Sequence, residues 1–530
     1  MTDRSGRHGH PGAWAALAGV VCAAVGFAVA ELVAALVGPG SSPLFAAGAG
    51  VVDAVPGPVK DWAVATFGTA DKAVLLGGMA VVLAAGAALA GWLELRRPPW
   101  GSVLLGVVGA VAALVAATRP GASVAWALPS LVGVGVAILL LRASLAPLRG
   151  TTEAGVLEGD VEAGGGAGTG VRGPMDRRRF LLVTGLAAAA GVVALATSRA
   201  VSAGSRAVTA AREALRLPAP ATPAPSVPAG ADLRVPGLAP YVTPNDDFYR
   251  IDTALRVPQV DPASWTLRVT GLVEEPFELT LDEVLALPLT EHHVTLTCVS
   301  NEVGGDLVGN ARWLGYPVHE LLARAGVQDG ADMVLSTSAD GWTASTPLDV
   351  LTDPGRACLL AVGMNGEPLP AEHGFPARLV VPGLYGYVSA TKWVTDLKVT
   401  TFADDVAYWS TRGWSERGPI KLASRVDTPR AGAPVPAGVV TVAGVAWAQH
   451  TGIAGVEVRV DDGTWRTATL ADTVGPDTWR QWSYTWDATP GEHRLTVRAT
   501  DAGGRTQTAD VAPPAPDGAS GWHEVTVRVQ

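Results

Sequence analysis

Cysteine is nearly absent from this chain: three residues in 530, at Cys22, Cys298 and Cys358. Three scattered thiols exclude a disulfide framework and a zinc ribbon. There is no Cys-x-x-Cys-His haem attachment and no cysteine cluster for iron and sulfur, so a redox centre must hang on one thiolate. Charge is scarce as well, at 17% of residues against 48% hydrophobic. That balance is too apolar for a wholly soluble protein. Lys and Arg number 39 against 49 Asp and Glu, a net charge of −10, which removes any nucleic-acid role driven by a basic surface. At about 150 residues per domain the length allows roughly three to four units.

What is present first is membrane sequence. A helix needs around 20 apolar residues to cross about 30 Å of hydrocarbon, and the first 200 positions hold five such runs, at roughly 13–37, 73–95, 101–118, 121–141 and 180–197. Arg4 and Arg7 precede the first, Arg96 and Arg97 separate the second from the third, and Arg142, Arg149, Arg172 and Arg177 to Arg179 crowd the stretch before the fifth. These clusters share one side, which the positive-inside rule makes cytoplasmic. The expected order is a four-span membrane domain over 1–142, a cytoplasmic Gly- and Thr-rich linker over 143–179 and a fifth span over 180–200. Everything after about residue 200 then lies outside the cell membrane. Glu31, inside the first span, is either a functional group or an inter-helix contact. No histidine falls in a span, so a bis-histidine membrane haem is excluded.

Before the fifth span the chain reads Asp176-Arg177-Arg178-Arg179-Phe180-Leu181-Leu182. This resembles the twin-arginine export signal, whose route carries folded cargo. Without a small-x-small cleavage site after it, the span is expected to stay as an anchor. Residues 201–239 form a linker in which Pro218, Pro220, Pro223, Pro225 and Pro228 impose an extended spacer. From 240 to 428, short β-branched runs interleave with helical pieces and Gly and Pro turns, the mark of an α+β domain. Over 429–530 only strands remain: Val456, Val458 and Val460 alternate with charged residues, as do Leu495, Val497 and Ala499 and then Val525, Val527 and Val529. About 100 residues of evenly spaced strands indicate an immunoglobulin-like all-β sandwich, whose default role is packing or association.

The chemistry concentrates in two segments. In Thr295-Leu296-Thr297-Cys298-Val299-Ser300-Asn301 a strand delivers a lone thiol to a turn. One thiolate without other ligands suits a metal whose remaining shell comes from a cofactor; a buried structural cysteine is the plainer alternative. In Glu372-His373-Gly374-Phe375-Pro376-Ala377-Arg378, followed by Lys392-Trp393, glycine and proline shape a loop while His373, Arg378 and Lys392 offer donors for a phosphate and a heterocycle.

Taken in order, Cys298, Arg312-Trp313-Leu314-Gly315, His373-Gly374-Phe375-Pro376-Ala377-Arg378 and Lys392-Trp393 resemble the signature of the sulfite oxidase family of molybdopterin enzymes. Thr243-Pro244-Asn245-Asp246-Asp247-Phe248-Tyr249 resembles that family's entry into the domain. The resemblance runs over about 240–530 and includes Val445-Ala446-Trp447 and Asp462-Gly463-Thr464-Trp465 of its dimerisation domain, so a homodimer through the sandwich is implied. It implies a molybdenum-molybdopterin cofactor with Cys298 as catalytic protein ligand to the metal, and Tyr249, Arg250, His373, Arg378 and Lys392 around the pterin and its phosphate. Cys358, in the apolar run Ala357-Cys358-Leu359-Leu360-Ala361, is left as a core residue.

The chain departs from the family pattern on the substrate side. Ile251-Asp252-Thr253 stands where animal and plant sulfite oxidases have Arg-Asn-His, Trp414 stands at the place of a substrate-side tyrosine, and an expected arginine is replaced around Gly452-Ile453. Arg412, Arg417 and Arg425 lie in the region where compensation would come from. The expectation is a membrane-anchored, extracytoplasmic molybdopterin oxidoreductase moving an oxygen atom and two electrons between a small substrate, sulfite or a sulfoxide or other oxide, and a separate electron carrier, cytochrome or quinone-linked. A non-catalytic adhesion or assembly protein retaining the fold is the alternative, and metal content separates the two.

Overall fold

The computed structural model describes residues 11–37, 41–55, 59, 66, 71–119, 122–154, 206–254 and 256–530. They form two units, Met1–Arg206 and Ala207–Gln530, taken in turn below.

The first unit is helical: α1 (Pro11–Val37), α2 (Pro43–Ala54), α3 (Asp71–Arg96), α4 (Trp100–Ala117) and α5 (Leu128–Ala154). Among the described residues four stretches are long and apolar enough to cross a membrane, Gly12–Val37, Val74–Arg96, Trp100–Ala117 and Val124–Ala146. They coincide with the first four expected spans; the fifth, with the twin-arginine-like stretch, lies outside the described residues. Backbones meet closely where Gly19 faces Ala87 and Gly91, and where Gly26 faces Gly133, the small-residue contact that apolar helices use when no hydrophobic force drives them together. Val81, Val82, Leu114 and Leu139 point outward. Glu31 accepts a 2.7 Å hydrogen bond from Ser42 Oγ, so it is an inter-helix contact. Glu94, 1% exposed, takes the Ser102 N–H at 2.7 Å and thereby caps the start of α4.

In the second unit one five-stranded sheet carries β1 (Thr266–Gly271), β2 (Phe277–Thr280), β5 (Met333–Ser338), β6 (Thr343–Pro347) and β10 (Val394–Thr400) in the order β2-β1-β10-β5-β6. Another carries β3 (Thr290–Thr297), β4 (Val308–Pro317), β7 (Leu359–Met364) and β8 (Glu367–Pro368), with β9 (Arg378–Val380) paired to β7. Helix α6 (Leu281–Leu285) opens on a reciprocal Thr280–Glu283 capping box. Helix α7 (Val318–Ala325) buries Val318, Leu321, Leu322 and Ala325 on one face and stops at Gly326 in the left-handed region. Trp265, Leu267, Val269, Leu321, Leu360 and Leu397 join one core, and Phe248, Trp313, Leu359 and Phe375 a second one.

The sandwich pairs β11 (Ala423–Thr428), β13 (Gly438–Trp447), β17 (Arg480–Ala488) and β16 (Thr469–Leu470) against β12 (Pro434–Val435), β19 (His523–Val529), β18 (Gly491–Asp501), β14 (Ile453–Val460) and β15 (Arg466–Thr467). The valine alternation expected of β14, β18 and β19 points inward, as period-two patterning requires. Its last strand reaches back: His523 lies against Gly304 and accepts the Val426 N–H at Nδ1, 3.0 Å, while Arg425 donates to Gly305 O.

The proline-rich stretch is extended, as expected, but docked rather than free. Ala221 N–H donates to Leu289 O at 2.7 Å and Glu291 N–H to Thr222 O at 2.8 Å. Further on Leu233 N–H meets Gln481 Oε1, and Tyr241, 1% exposed, shares its hydroxyl with Thr478 at 2.8 Å. Prolines leave few unpaired donors on this strap, and several of the N–H groups that remain are used.

Candidate functional site

Strand β3 ends at Thr297, and Cys298 follows as the chain turns. Its N–H donates to Leu307 O at 2.9 Å, and its carbonyl accepts from Asn301 N at 3.1 Å. Asn301 Oδ1 in turn holds Leu307 N–H at 2.8 Å, so a short polar clasp fixes the thiol's loop.

Four of the six residues singled out from the sequence converge here as buried side chains: Cys298 is 9% exposed, His373 2%, Arg378 5% and Lys392 8%. They line a cavity of about 140 Å³ together with Tyr249. His373 ends a single 3₁₀ turn (Ala371–His373) stopped by Gly374 at φ 113°. A side chain at 374 would lie 3.0 Å from Arg378 Cβ and 3.2 Å from Lys392 Cα, so the left-handed backbone and the tight packing at this turn favour glycine. Arg378 opens β9, and Lys392 precedes Trp393, whose φ of 51° swings the chain into β10. The sixth residue, Arg250, does not line the cavity; it forks onto Asp252, with Nε to Oδ2 at 2.8 Å, and is more than one-third exposed.

Burial dominates the electrostatics. It pushes the Cys298 thiol up from its ordinary value, against hydrogen bonds from Ser300 and the nearby Lys392 cation. It likewise pushes the Tyr249 phenol up. His373 is pushed down to about 4 by burial and then by Arg378, so its imidazole is neutral at ordinary pH. Its Nε2 lies 3.1 Å from Asn245 O, which can only accept, and so carries the proton. Lys392 falls to about 8 through burial, despite Asp252 Oδ2 at 2.7 Å. Arg378 is pushed down to about 10 by burial. Its guanidinium donates only to the carbonyls of His373, Leu379 and Ala390 and stands 5.1 Å from the Trp313 ring; among the described residues no carboxylate pairs with it. A buried cation without a carboxylate is costly unless an anion joins it.

Part of the remaining lining comes from residues that carry no motif. Ser338, Asp340 and Trp342 sit on the turn between β5 and β6, and Tyr387, Trp409 and Trp414 close the wall. Trp409 and Trp414 meet edge to face at 6.0 Å. Ile251, Asp252 and Thr253 also line the cavity, but Arg412, Arg417 and Arg425 do not. Arg412 lies over Tyr408, Arg417 over Phe402, and Arg425 pairs with Asp427. Tyr387 spends its hydroxyl on Ser415 O at 2.8 Å. Cys358 is 1% exposed in the core with Sγ 3.4 Å from Val350 O, and burial pushes its thiol up to about 12.

Residues 254–409 match the family model described as an oxidoreductase molybdopterin binding domain, and 424–497 match a bacterial Ig domain. Human mitochondrial sulfite oxidase is 32% identical over 323 residues, which cover 52% of this chain and 58% of that protein. The uncharacterized oxidoreductase YuiH of Bacillus subtilis is 36% identical over 158 residues, covering 30% of this chain and 76% of that one. Among solved structures, the sulfane dehydrogenase SoxCD of Paracoccus pantotrophus aligns with a TM-score of 0.47 at 25% identity, over 54% of this chain and 81% of that one. The chain thus spans a little over half the length of the sulfite oxidases it matches.

Proposed function

Since the chain belongs to the sulfite oxidase family of molybdopterin oxidoreductases, we propose that it is an enzyme of oxygen-atom transfer, held to the cell membrane by its apolar helices with the catalytic domain on the outer side. The observation that carries this is the buried Cys298 thiol opening into the same cavity as a buried arginine that lacks a carboxylate.

The residues fit the cofactor the family uses. A pterin phosphate would supply the anion that Arg378 lacks, and Lys392, Tyr249 and His373, which line the same cavity, would help to hold it. Arg250, on the rim, reaches that wall through Asp252. Cys298 offers one soft, strongly donating ligand, which deprotonates on binding a metal and leaves the rest of the shell to the cofactor. When bound, molybdenum-molybdopterin accepts or donates two electrons together with one oxygen atom. The chain's own part is to orient. Neutral His373 fixes the 3₁₀ turn through Asn245, Arg378 and Lys392 hold negative charge, and the apolar wall excludes water. In the reductive direction a substrate oxide takes two electrons and two protons and leaves as the deoxygenated compound and water. The electrons come from a separate carrier, a cytochrome or quinone-linked protein; the same balance runs backwards for sulfite. The sandwich supplies a surface for a second copy of the chain.

Cys298→Ser should abolish turnover and alter the metal's spectrum, because a hydroxyl stays protonated where a thiolate donates charge. Cys358→Ser should cost about 1–3 kcal/mol of stability and leave the metal's signature unchanged. Elemental analysis and optical spectra of both variants test the assignment, and full turnover by Cys298→Ser would overturn it.

A further inference from the structure

The charged side chains lining the cavity cancel before any ligand enters. Arg378 and Lys392 supply two cations, Asp252 and Asp340 two carboxylates. Asp252 lies 2.7 Å from Lys392 Nζ and also holds Arg250. Asp340 is fixed on its turn by the Trp342 N–H at 3.1 Å. A phosphate held by Arg378 and Lys392 would bring roughly −1.5 to −2 further charge and so use up the positive charge those two side chains supply. The three other arginines of the region, Arg412, Arg417 and Arg425, are each turned to a partner away from it.

Some of the neutral donors are committed as well. Trp393 Nε1 donates to Ala371 O at 2.8 Å, Tyr387 to Ser415 O, and His373 to Asn245 O. What remains open is aromatic: Trp342, Trp409 and Trp414, with the Tyr387 ring 5.8 Å from Trp414. Such a wall gains by covering alkyl or aryl groups and offers a dianion indole N–H donors but no cation beyond Arg378 and Lys392 to offset its lost hydration.

Resting on the cofactor assignment above, we infer that this site takes an uncharged organic oxide, such as a sulfoxide, or its deoxygenated form, in preference to a dianion such as sulfite. Asp340 and Trp414 are specificity-determining residues: the first repels a second anion, the second covers the organic group.

The test uses the full-length, molybdenum-loaded protein without an electron carrier, titrated calorimetrically at constant ionic strength with methyl phenyl sulfoxide and with sulfate as an unreactive dianion. The sulfoxide should bind at least about tenfold more tightly than sulfate. Asp340→Asn should shift the ratio of the two affinities about tenfold toward sulfate, and Trp414→Ala should weaken the sulfoxide alone. Sulfate binding as tightly as the sulfoxide, a sulfoxide that does not bind, or a ratio unmoved in Asp340→Asn would each overturn the inference while one molybdenum per chain keeps the cofactor assignment intact. A preparation reconstituted under loading conditions that still holds no molybdenum overturns that assignment, and the substrate inference with it.

Discussion

His373 shows what burial costs one side chain in this site. Its imidazole is held down to about 4, whereas an unfolded histidine titrates near 6.5. Between about pH 6.5 and 4 the unfolded chain therefore binds a proton that the folded chain refuses. Stability is complete above that window and falls as pH drops through it, by on the order of 3 kcal/mol. Urea unfolding of the full chain between pH 7 and 4.5 should show the loss, and His373→Gln should lack that component; equal slopes would place it on another group. The motif residues Cys298, His373, Arg378 and Lys392 were legible because their order along the chain resembles the signature of the sulfite oxidase family. Arg250 was legible as a cation but not as a rim residue, since its partner Asp252 is known only once the chain is folded. Asp340 and Trp342 carry no motif. They reach the cavity because the β5–β6 turn ends there, a consequence of sheet order that no local pattern encodes.

At the scale of elements, the strap before the catalytic domain is a structural tie. Tyr241 Oη lies 2.8 Å from Thr478 Oγ1 and accepts the Val474 N–H at 3.1 Å, while its carbonyl accepts from Trp479 Nε1 and Asn310 Nδ2. One residue thus joins β4 to the sandwich. Tyr241→Phe keeps the ring and strands the Val474 N–H, so it should lower stability by about 1–2 kcal/mol, visible as a lower Tm with the fold unchanged by circular dichroism. An unaltered Tm would mean that water replaces the hydroxyl. Composition foretold the strap's extension, because proline fixes φ, but its docking depends on acceptors such as Leu289 O and Gln481 that are distant in sequence. The helices and the valine-alternating strands were the easier inference: hydropathy and period-two patterning are local, and α1, α3, α4, β14, β18 and β19 lie close to where those signals put them.

For the whole molecule, the arginine clusters give a topology that two measurements address. Reporter fusions after residues 170 and 230 should fall in opposite compartments, and the same compartment for both would refute the proposed orientation. Changing Arg177 and Arg178 to lysine keeps the charge but removes the guanidinium pair, so the first four spans should insert while the catalytic domain stays in the cytoplasm. Fractionation with a protease-accessibility assay reads this directly, and normal export would assign the last span to the general route. The reach of β19 adds an order of events. The loop that carries Cys298 is complete by residue 305 of 530, yet His523 and Arg425, which hold its far side at Gly304 and Gly305, belong to strands made later. At roughly 5–20 residues per second, the ribosome leaves that side of the loop unlatched for roughly ten seconds or more after it emerges. The final strand of the sandwich thus completes that loop's contacts last, so a chain stopped short of β19 lacks the His523 contact at Gly304 while keeping the Arg425 bond to Gly305.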